Sequence, residues 1–145
     1  MTLHSQGVVD TQKFAQKLAK ELPGRVFALS GDLGSGKTTF TQFFLRALGV
    51  RGRITSPTFI IIKNYKLRIT DYGFKKVYHI DCYRIKSPKE LLALDFKEIL
   101  SDPKNLLIIE WADRIRNLLP TETRWIYSEH GKKESERLIK QTSIK

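Results

Sequence analysis

The feature that most constrains this chain is a glycine-rich stretch that directly follows a short apolar run. The run VFALS occupies residues 26–30, and GDLGSGKT follows at 31–38. The stretch fits the pattern G-x-x-x-x-G-K-[ST], in which glycines let successive backbone N–H groups face one concavity. A helix that starts there adds unsatisfied N–H groups and the positive end of its dipole. The pattern therefore predicts a strand, a phosphate-binding loop and a helix, with a polyphosphate as the ligand.

Each residue type in this stretch has a predicted role. Lys37 reaches the β- and γ-phosphates, the Thr38 hydroxyl binds Mg²⁺, and Thr39 lies near the α-phosphate. The predicted cofactor-binding residues of the loop are Gly31, Asp32, Leu33, Gly34, Ser35, Gly36, Lys37, Thr38 and Thr39. The N-K-x-D pattern by which GTPases read guanine is absent from the sequence. We therefore expect ATP, and ADP after hydrolysis, as the nucleotide.

A carboxylate is expected opposite the loop, because Mg²⁺ prefers oxygen ligands and retains several waters. Glu110 ends the apolar run 106–109, and phosphate loops lie at the carboxyl ends of parallel strands. Asp81 interrupts an apolar neighbourhood and is the second candidate, with a structural pairing to Arg84 as its alternative role. One carboxylate would serve the metal and the other the attacking water or the metal's water shell.

These considerations define the predicted active site. The predicted metal ligands are Thr38 and Glu110, and the predicted catalytic residues are Lys37, Asp81 and Glu110.

Three further residues are considered for the same region. Trp111 follows Glu110, so strand alternation predicts that its ring points to the opposite face, against the nucleotide loop or on a partner surface. His79 precedes Asp81 by two positions and is expected to be a hydrogen-bonded structural residue rather than a catalytic base. Thr11 is expected either beside the adenine or as a helix N-cap.

The rest of the chain reads as alternating strands and helices. Apolar residues at helical spacing predict an amphipathic helix over 10–22 with its N-cap at Asp10 or Thr11. Other helices are predicted over 37–48 and, as one or two pieces starting at Ser87 or Pro88, over 88–100; strands are predicted over 25–30, 59–67, 76–85, 106–111, 123–130 and 135–143. We predict a single α/β domain over residues 1–145, of the P-loop NTPase type. Its mixed β-sheet is flanked by helices and has a C-terminal β-hairpin.

Charge and composition limit the remaining function classes. Lys and Arg total 26 against 15 Asp and Glu, a net charge of +11. Such a charge is typical either of a solvated lysine-rich surface or of a surface that meets RNA or an acidic protein. The single cysteine, Cys82, excludes an internal disulfide, and the three histidines lack zinc spacing. Without a secretory pattern or a run of 18 apolar residues, a cytoplasmic location with no membrane association is expected.

Four strings occur in order and at suitable spacing: 31-GDLGSGKTTF-40, 56-SPTF-59, 78-YHIDCYR-84 and 109-IEW-111. Together they resemble the TsaE/YjeE family, the bacterial ATPase subunit of the machinery that makes threonylcarbamoyladenosine in tRNA. The resemblance implies a small P-loop fold that binds ATP with Mg²⁺ and hydrolyses it slowly when alone. It also implies association with a two-protein threonylcarbamoyl transferase core, of TsaD and TsaB type, which modifies adenosine 37 of tRNA. Contact with tRNA would then occur through the complex.

The resemblance also assigns residues. It implies that Thr38 and Glu110 hold the metal, that Lys37 holds phosphate, and that Asp81 and Trp111 are needed for activity. The segment TSPTF at 55–59 resembles the family's switch region, in which Thr58 would sense the γ-phosphate. Cys82 departs from the family, which often has leucine in this position, and a buried thiol is a small apolar substitute.

Two other functions are also compatible with the sequence. A P-loop small-molecule or nucleoside kinase would need an acceptor pocket and a closing lid, for which only 51–57 and 114–120 offer room. A non-catalytic nucleic-acid-binding switch would bind tRNA with a steep salt dependence and release no phosphate.

Overall fold

A computed structural model of the protein describes residues 2–31, 36–54, 61–67, 73–131 and 137–143. The elements follow one another as β1 (Thr2–Ser5), α1 (Val8–Glu21), β2 (Val26–Gly31), α2 (Lys37–Ala47), β3 (Ile62–Lys66), β4 (Lys76–Asp81), α3 (Pro88–Leu92), α4 (Phe96–Ser101), β5 (Asn105–Glu110), a 3₁₀ segment (Ala112–Leu118), β6 (Arg124–His130) and β7 (Arg137–Ser143).

The strands formed by the described residues make one seven-stranded sheet in the order β1-β7-β6-β2-β5-β4-β3. Its centre is parallel, because β2 pairs with β5 and β6, and β5 pairs with β4, in that orientation. The flanking pairs β3–β4, β6–β7 and β1–β7 are antiparallel. The predicted mixed sheet, with its C-terminal hairpin β6–β7, is therefore confirmed.

Both faces of the central strands are buried, which explains their unbroken apolar sequences. Phe27 and Leu29 of β2 pack with α1 and α2 in one core cluster, whereas Val26 and Ala28 pack with α3, α4 and the 3₁₀ segment in a second. The alternation follows from the two-residue period of a strand. The sheet is thus the middle layer between two sets of helices.

The start of α1 differs from the prediction. The helix begins at Val8 with Gly7 as its N-cap, so the predicted cap at Asp10 or Thr11 is wrong. The Asp10 carboxylate lies inside the first turn and accepts a bond from the Gln6 N–H at 3.0 Å. A carboxylate in the first turn can accept a hydrogen bond from a backbone N–H that precedes the helix. The helix can therefore begin several residues before Asp10 rather than at it.

Other boundaries also moved. Strand β4 ends at Asp81 rather than at residue 85. The 88–100 segment forms two helices, as one of the predicted alternatives has it: α3 begins at Pro88 with Ser87 as its N-cap, and α4 follows Asp95, which has a positive φ of 62°. Strand β1 was not predicted, because its four residues are held by pairing with β7, more than 130 positions away in the chain. The predicted hairpin turn at 70–73 lies mostly outside the described residues. Among the helices that are described, none combines the length and apolar character required to cross a bilayer.

Candidate active site

The candidate site forms at the edge of the sheet where three parallel strands end. Strand β2 ends at Gly31, β4 at Asp81 and β5 at Glu110. The register pairs Asp81 directly with Glu110. It also pairs Glu110 with Leu29, which lies two residues before Gly31, the first residue of the glycine-rich motif. Two predicted carboxylates and the entrance to the predicted phosphate loop therefore meet at one place.

The backbone at both ends of the loop requires glycine. Gly31 has a φ of 142°, and a Cβ on it would lie 1.9 Å from the carbonyl oxygen of Ser128 on the neighbouring strand β6. Gly36 is the N-cap of α2 and has a left-handed φ of 99°. The predicted loop residues Asp32, Leu33, Gly34 and Ser35 lie outside the described residues.

Lys37 begins α2 and is almost completely buried, at 6% exposure. Its Nζ donates a hydrogen bond to the Gly31 carbonyl at 2.9 Å. The same ammonium lies 4.1 Å from the centre of the Trp111 ring, a cation–π distance. The lysine charge therefore contacts both the Gly31 carbonyl and the Trp111 ring.

Next to this lysine, a chain of hydrogen bonds connects α2, β5 and β4. Thr38 on α2 donates from Oγ1 to Glu110 Oε1 at 2.7 Å. His79 Nε2 lies 2.5 Å from the other carboxylate oxygen, Glu110 Oε2. His79 and Glu110 are 0% and 1% exposed, so each carboxylate oxygen finds its partner inside the protein. A buried carboxylate needs such partners to offset the loss of its hydration.

Asp81 stands beside this chain in a less buried position. Its Oδ1 accepts a bond from the Tyr83 backbone N–H at 2.9 Å. Burial raises the pKa of the Asp81 carboxyl above its ordinary value, the bond from Tyr83 opposes that rise, and the charge of Glu110 adds to it. Asp81 thus lies next to Glu110 with a more readily protonated carboxyl than an exposed aspartate has.

The donor atoms fit a magnesium ion. The Thr38 hydroxyl and the Glu110 carboxylate are oxygen donors already in contact, and Asp81 offers a further carboxylate on the adjacent strand. Within the described ranges, no group of three or more His, Cys, Asp or Glu side chains is arranged to hold a metal ion unaided. Mg²⁺ is commonly held by one or two protein oxygens together with waters and substrate phosphates, so a hydroxyl and a carboxylate are a suitable set.

The strand alternation used to orient Trp111 does not apply to this residue. Strand β5 ends at Glu110, and Trp111 adopts a left-handed conformation with a φ of 56° before the 3₁₀ segment. The alternation of a strand does not extend through such a residue. The ring contacts the ammonium of Lys37, a residue of the predicted nucleotide loop, which agrees with one of the two predicted positions. It also contacts the Tyr83 ring at a centroid distance of 5.1 Å, and the Arg114 guanidinium lies 5.7 Å from it.

The other predicted residues are placed as follows. Thr39 is half-buried in the first turn of α2. Thr11 is 6% exposed on α1, where its hydroxyl bonds to Ser5 Oγ at 2.8 Å, and Ser5 in turn donates to the Gly7 carbonyl. The Thr11 hydroxyl is thus engaged at the start of its own helix. Thr58 and the rest of the 55–59 segment lie outside the described residues.

For His79, only a structural hydrogen bond was predicted. The structure shows that its partner is Glu110 itself. Two signals pointed toward this contact: His79 shares a strand face with Asp81, and it is a polar residue in an apolar strand.

A mixed sheet has a central parallel strand that ends at Gly31, a helix that begins at Lys37 after a glycine-rich sequence, and a carboxylate on the neighbouring strand. Together with the lysine and threonine at the start of the helix, these features define an α/β protein of the P-loop class. The family model described as threonylcarbamoyl adenosine biosynthesis protein TsaE matches residues 5–139. The chain belongs to the TsaE family, which confirms the resemblance seen in the sequence.

Individual relatives agree with this family. A protein from Rickettsia bellii called tRNA threonylcarbamoyladenosine biosynthesis protein TsaE is 39% identical over 125 residues, which cover 82% of each chain. The protein of the same name from Bacillus subtilis is 43% identical over 100 residues, covering 69% of this chain and 58% of its own. The crystal structure of Bacillus subtilis YdiB matches all of this chain and 86% of its own, with a TM-score of 0.79 and 30% identity.

Proposed function

We propose that this protein binds and slowly hydrolyses ATP as an accessory subunit of the machinery that makes N6-threonylcarbamoyladenosine at position 37 of tRNA. Family membership and the names of its relatives support the pathway. The observation that carries the ATPase proposal is the 2.7 Å contact between Thr38 and Glu110 immediately after the phosphate-loop motif. The proposed partners are a TsaD- and TsaB-type transferase core, with tRNA reached through the complex.

The chain's own groups divide the proposed work. The glycines at 31 and 36 and the first N–H groups of α2 bind phosphate, because a helix N-terminus favours negative charge. Lys37 supplies a cation whose present acceptor is a backbone carbonyl, so it can turn from that carbonyl to a phosphate oxygen. Trp111 covers the lysine and limits its contact with water.

The proposed metal would be held by Thr38 and Glu110. When bound, Mg²⁺ would neutralise phosphate charge and polarise the group to be transferred. Asp81, one strand away from Glu110, is proposed to orient the attacking water. Catalysis then depends on positioning and charge stabilisation, which suits a slow enzyme that its partners stimulate.

Substitution of Lys37 tests the binding half of this proposal. Lys37→Ala removes the buried cation at the loop, and Lys17→Ala removes the same charge from the exposed face of α1 as a matched control. Calorimetric titration with ATP and Mg²⁺ should show at least a tenfold loss of affinity for Lys37→Ala, equivalent to about 1.4 kcal/mol. The control should retain wild-type affinity. Equal affinity in both variants would remove the phosphate-loop assignment.

The hydrolysis half is tested with partners. Phosphate release should be slow for the protein alone and should rise when the transferase core and tRNA are added. Glu110→Gln keeps the side-chain volume but removes the charge, so it should abolish the metal-dependent rate. A rate that depends on an added nucleoside and yields its phosphate would establish the kinase alternative instead. Tight, salt-sensitive tRNA binding without phosphate release under any of these conditions would establish the nucleic-acid switch.

A further inference from the structure

A fully buried histidine lies behind the proposed metal ligand. His79 is 0% exposed on β4, and its Nε2 is 2.5 Å from Glu110 Oε2. Its second ring nitrogen, Nδ1, is buried and has no hydrogen-bond partner among the residues that the structure describes. Its strand neighbours Val77 and Ile80 belong to the apolar core. An apolar residue would satisfy the packing of this position without burying a polar ring, so the ring's polarity calls for a reason.

The unpartnered nitrogen indicates which tautomer is present. A neutral imidazole carries one N–H and one lone pair, and a protonated ring carries two N–H groups. A proton on Nδ1 would leave a buried donor with no acceptor. The proton therefore belongs on Nε2, from which it is donated to the Glu110 carboxylate.

The two carboxylate oxygens of Glu110 therefore contact different partners, one on β4 and the other on α2. Oε2 is held by the His79 ring, which is fixed in the sheet, and Oε1 is turned toward Thr38 on α2. Since a carboxylate rotates about a soft terminal torsion, one fixed oxygen sets the direction of the other. The ring also orients Glu110 without occupying the side that faces the loop.

We propose that His79 is a positioning residue that holds Glu110 Oε1 toward the metal beside Thr38. This inference rests on the proposed function, because it assigns His79 to the same Mg²⁺–nucleotide site. Groups that hydrogen-bond a metal ligand from behind commonly change metal affinity or activity by about 10–100-fold when removed. Removing the His79 ring should therefore lower the affinity of the site for the metal ion, and not only its affinity for the nucleotide.

Two substitutions at this position separate hydrogen bonding from packing. His79→Gln retains an N–H donor at a reach similar to that of Nε2, whereas His79→Leu fills comparable volume without a donor. A fluorescent ADP analogue is titrated in EDTA and at increasing Mg²⁺, and Mn²⁺ binding to the protein–ADP complex is followed by electron paramagnetic resonance. Neither measurement depends on turnover.

We expect His79→Leu to raise the Mg²⁺ and Mn²⁺ concentrations at half-saturation by about 10–100-fold. Its affinity for the analogue in EDTA should stay within about twofold of wild type, and His79→Gln should restore most of the metal affinity. Wild-type metal dependence in His79→Leu would overturn the proposal. Equal losses in the Leu and Gln variants would also overturn it, because they would indicate packing alone.

Further controls keep the result decisive. If circular dichroism shows that His79→Leu is unfolded, His79→Asn replaces it, because the shorter amide does not reach the carboxylate. Metal affinity retained equally by the Asn and Gln variants would then overturn the proposal. A wild-type protein that binds the analogue neither in EDTA nor with Mg²⁺ refutes the proposed function as well as this inference. Normal wild-type binding with unchanged variants refutes the inference alone.

Discussion

Replacing Gly31 by alanine should destabilise the protein more than replacing any other glycine tested beside it. Two effects act at this residue. Its φ of 142° lies in a region that side-chain-bearing residues rarely adopt, and its Cβ would lie 1.9 Å from the Ser128 carbonyl oxygen. Real Cβ atoms stay at least 3.0 Å from such atoms, so β2 and β6 would have to separate locally by about 1.1 Å, the difference between the two distances.

The magnitude follows from adding these effects. A residue held in so rare a backbone region costs about 1–3 kcal/mol. Separating the strands weakens ladder hydrogen bonds between β2 and β6, each worth about 1 kcal/mol. We therefore expect Gly31→Ala to lower the free energy of unfolding by about 3 kcal/mol or more. That is a large part of the roughly 5–15 kcal/mol that stabilises a typical domain.

Two other glycines serve as matched controls in urea unfolding followed by circular dichroism. Gly52 has a positive φ of 84° but open space around its Cβ position, so Gly52→Ala should cost only the left-handed backbone strain, about 1 kcal/mol. Gly7 is extended and also has open space, so Gly7→Ala should cost only what alanine loses against glycine at a helix N-cap, under about 1 kcal/mol. Equal losses for Gly31→Ala and Gly52→Ala would refute the argument from the Ser128 contact.

Further outcomes are expected at Cys82, Ser87 and Asp81. Burial, followed by the charges of Asp81 and Asp113, raises the pKa of the Cys82 thiol from 9.0 to about 12. Only about one molecule in 10⁴ is then a thiolate at pH 8, so Ellman's reagent should react after unfolding in urea but not before; rapid reaction of the folded protein would contradict this. Because the pKa of this thiol is higher in the folded state, its contribution to stability is complete below pH 9 and is lost as the pH rises from 9 toward 12. The urea midpoints of wild type and Cys82→Ala should therefore converge or cross over this pH range. Midpoints that run parallel with pH would contradict the prediction. Ser87→Ala removes the side-chain acceptor of the capping box at α3 and should cost about 1 kcal/mol in the same unfolding assay, whereas Ser87→Asp, which keeps an acceptor, should not. Asp81→Asn should leave ATP affinity unchanged and reduce partner-stimulated phosphate release, and an unimpaired rate would assign Asp81 a structural role.

Local chemistry made much of the protein predictable from its sequence. The order of residues from Gly31 to Thr38 predicts a phosphate loop, because its glycines, lysine and threonine would act through backbone and side-chain groups that are neighbours in the chain. Unbroken apolar runs identified β2 and β5 as buried parallel strands. A carboxylate at the end of such a run was predicted to face the loop, and Glu110 contacts Thr38.

The errors arose where an unexpected local backbone conformation or a pairing with a distant strand decided the structure. A left-handed backbone at Trp111 ended the alternation on which its orientation was predicted, and β1 exists because β7 pairs with it. The start of α1 was misplaced because Asp10 bonds to the backbone ahead of the helix.

The sequence by itself therefore determined the central strands and the family, since these depend on residue type and short spacing. Only the tertiary structure decided that Ser128 approaches Gly31 so closely and that His79 holds the second oxygen of Glu110. Both contacts join separate strands of the sheet. Strand register is a long-range property, because hydrogen bonds between strands form only after distant segments have been brought together and their apolar faces buried on the helices.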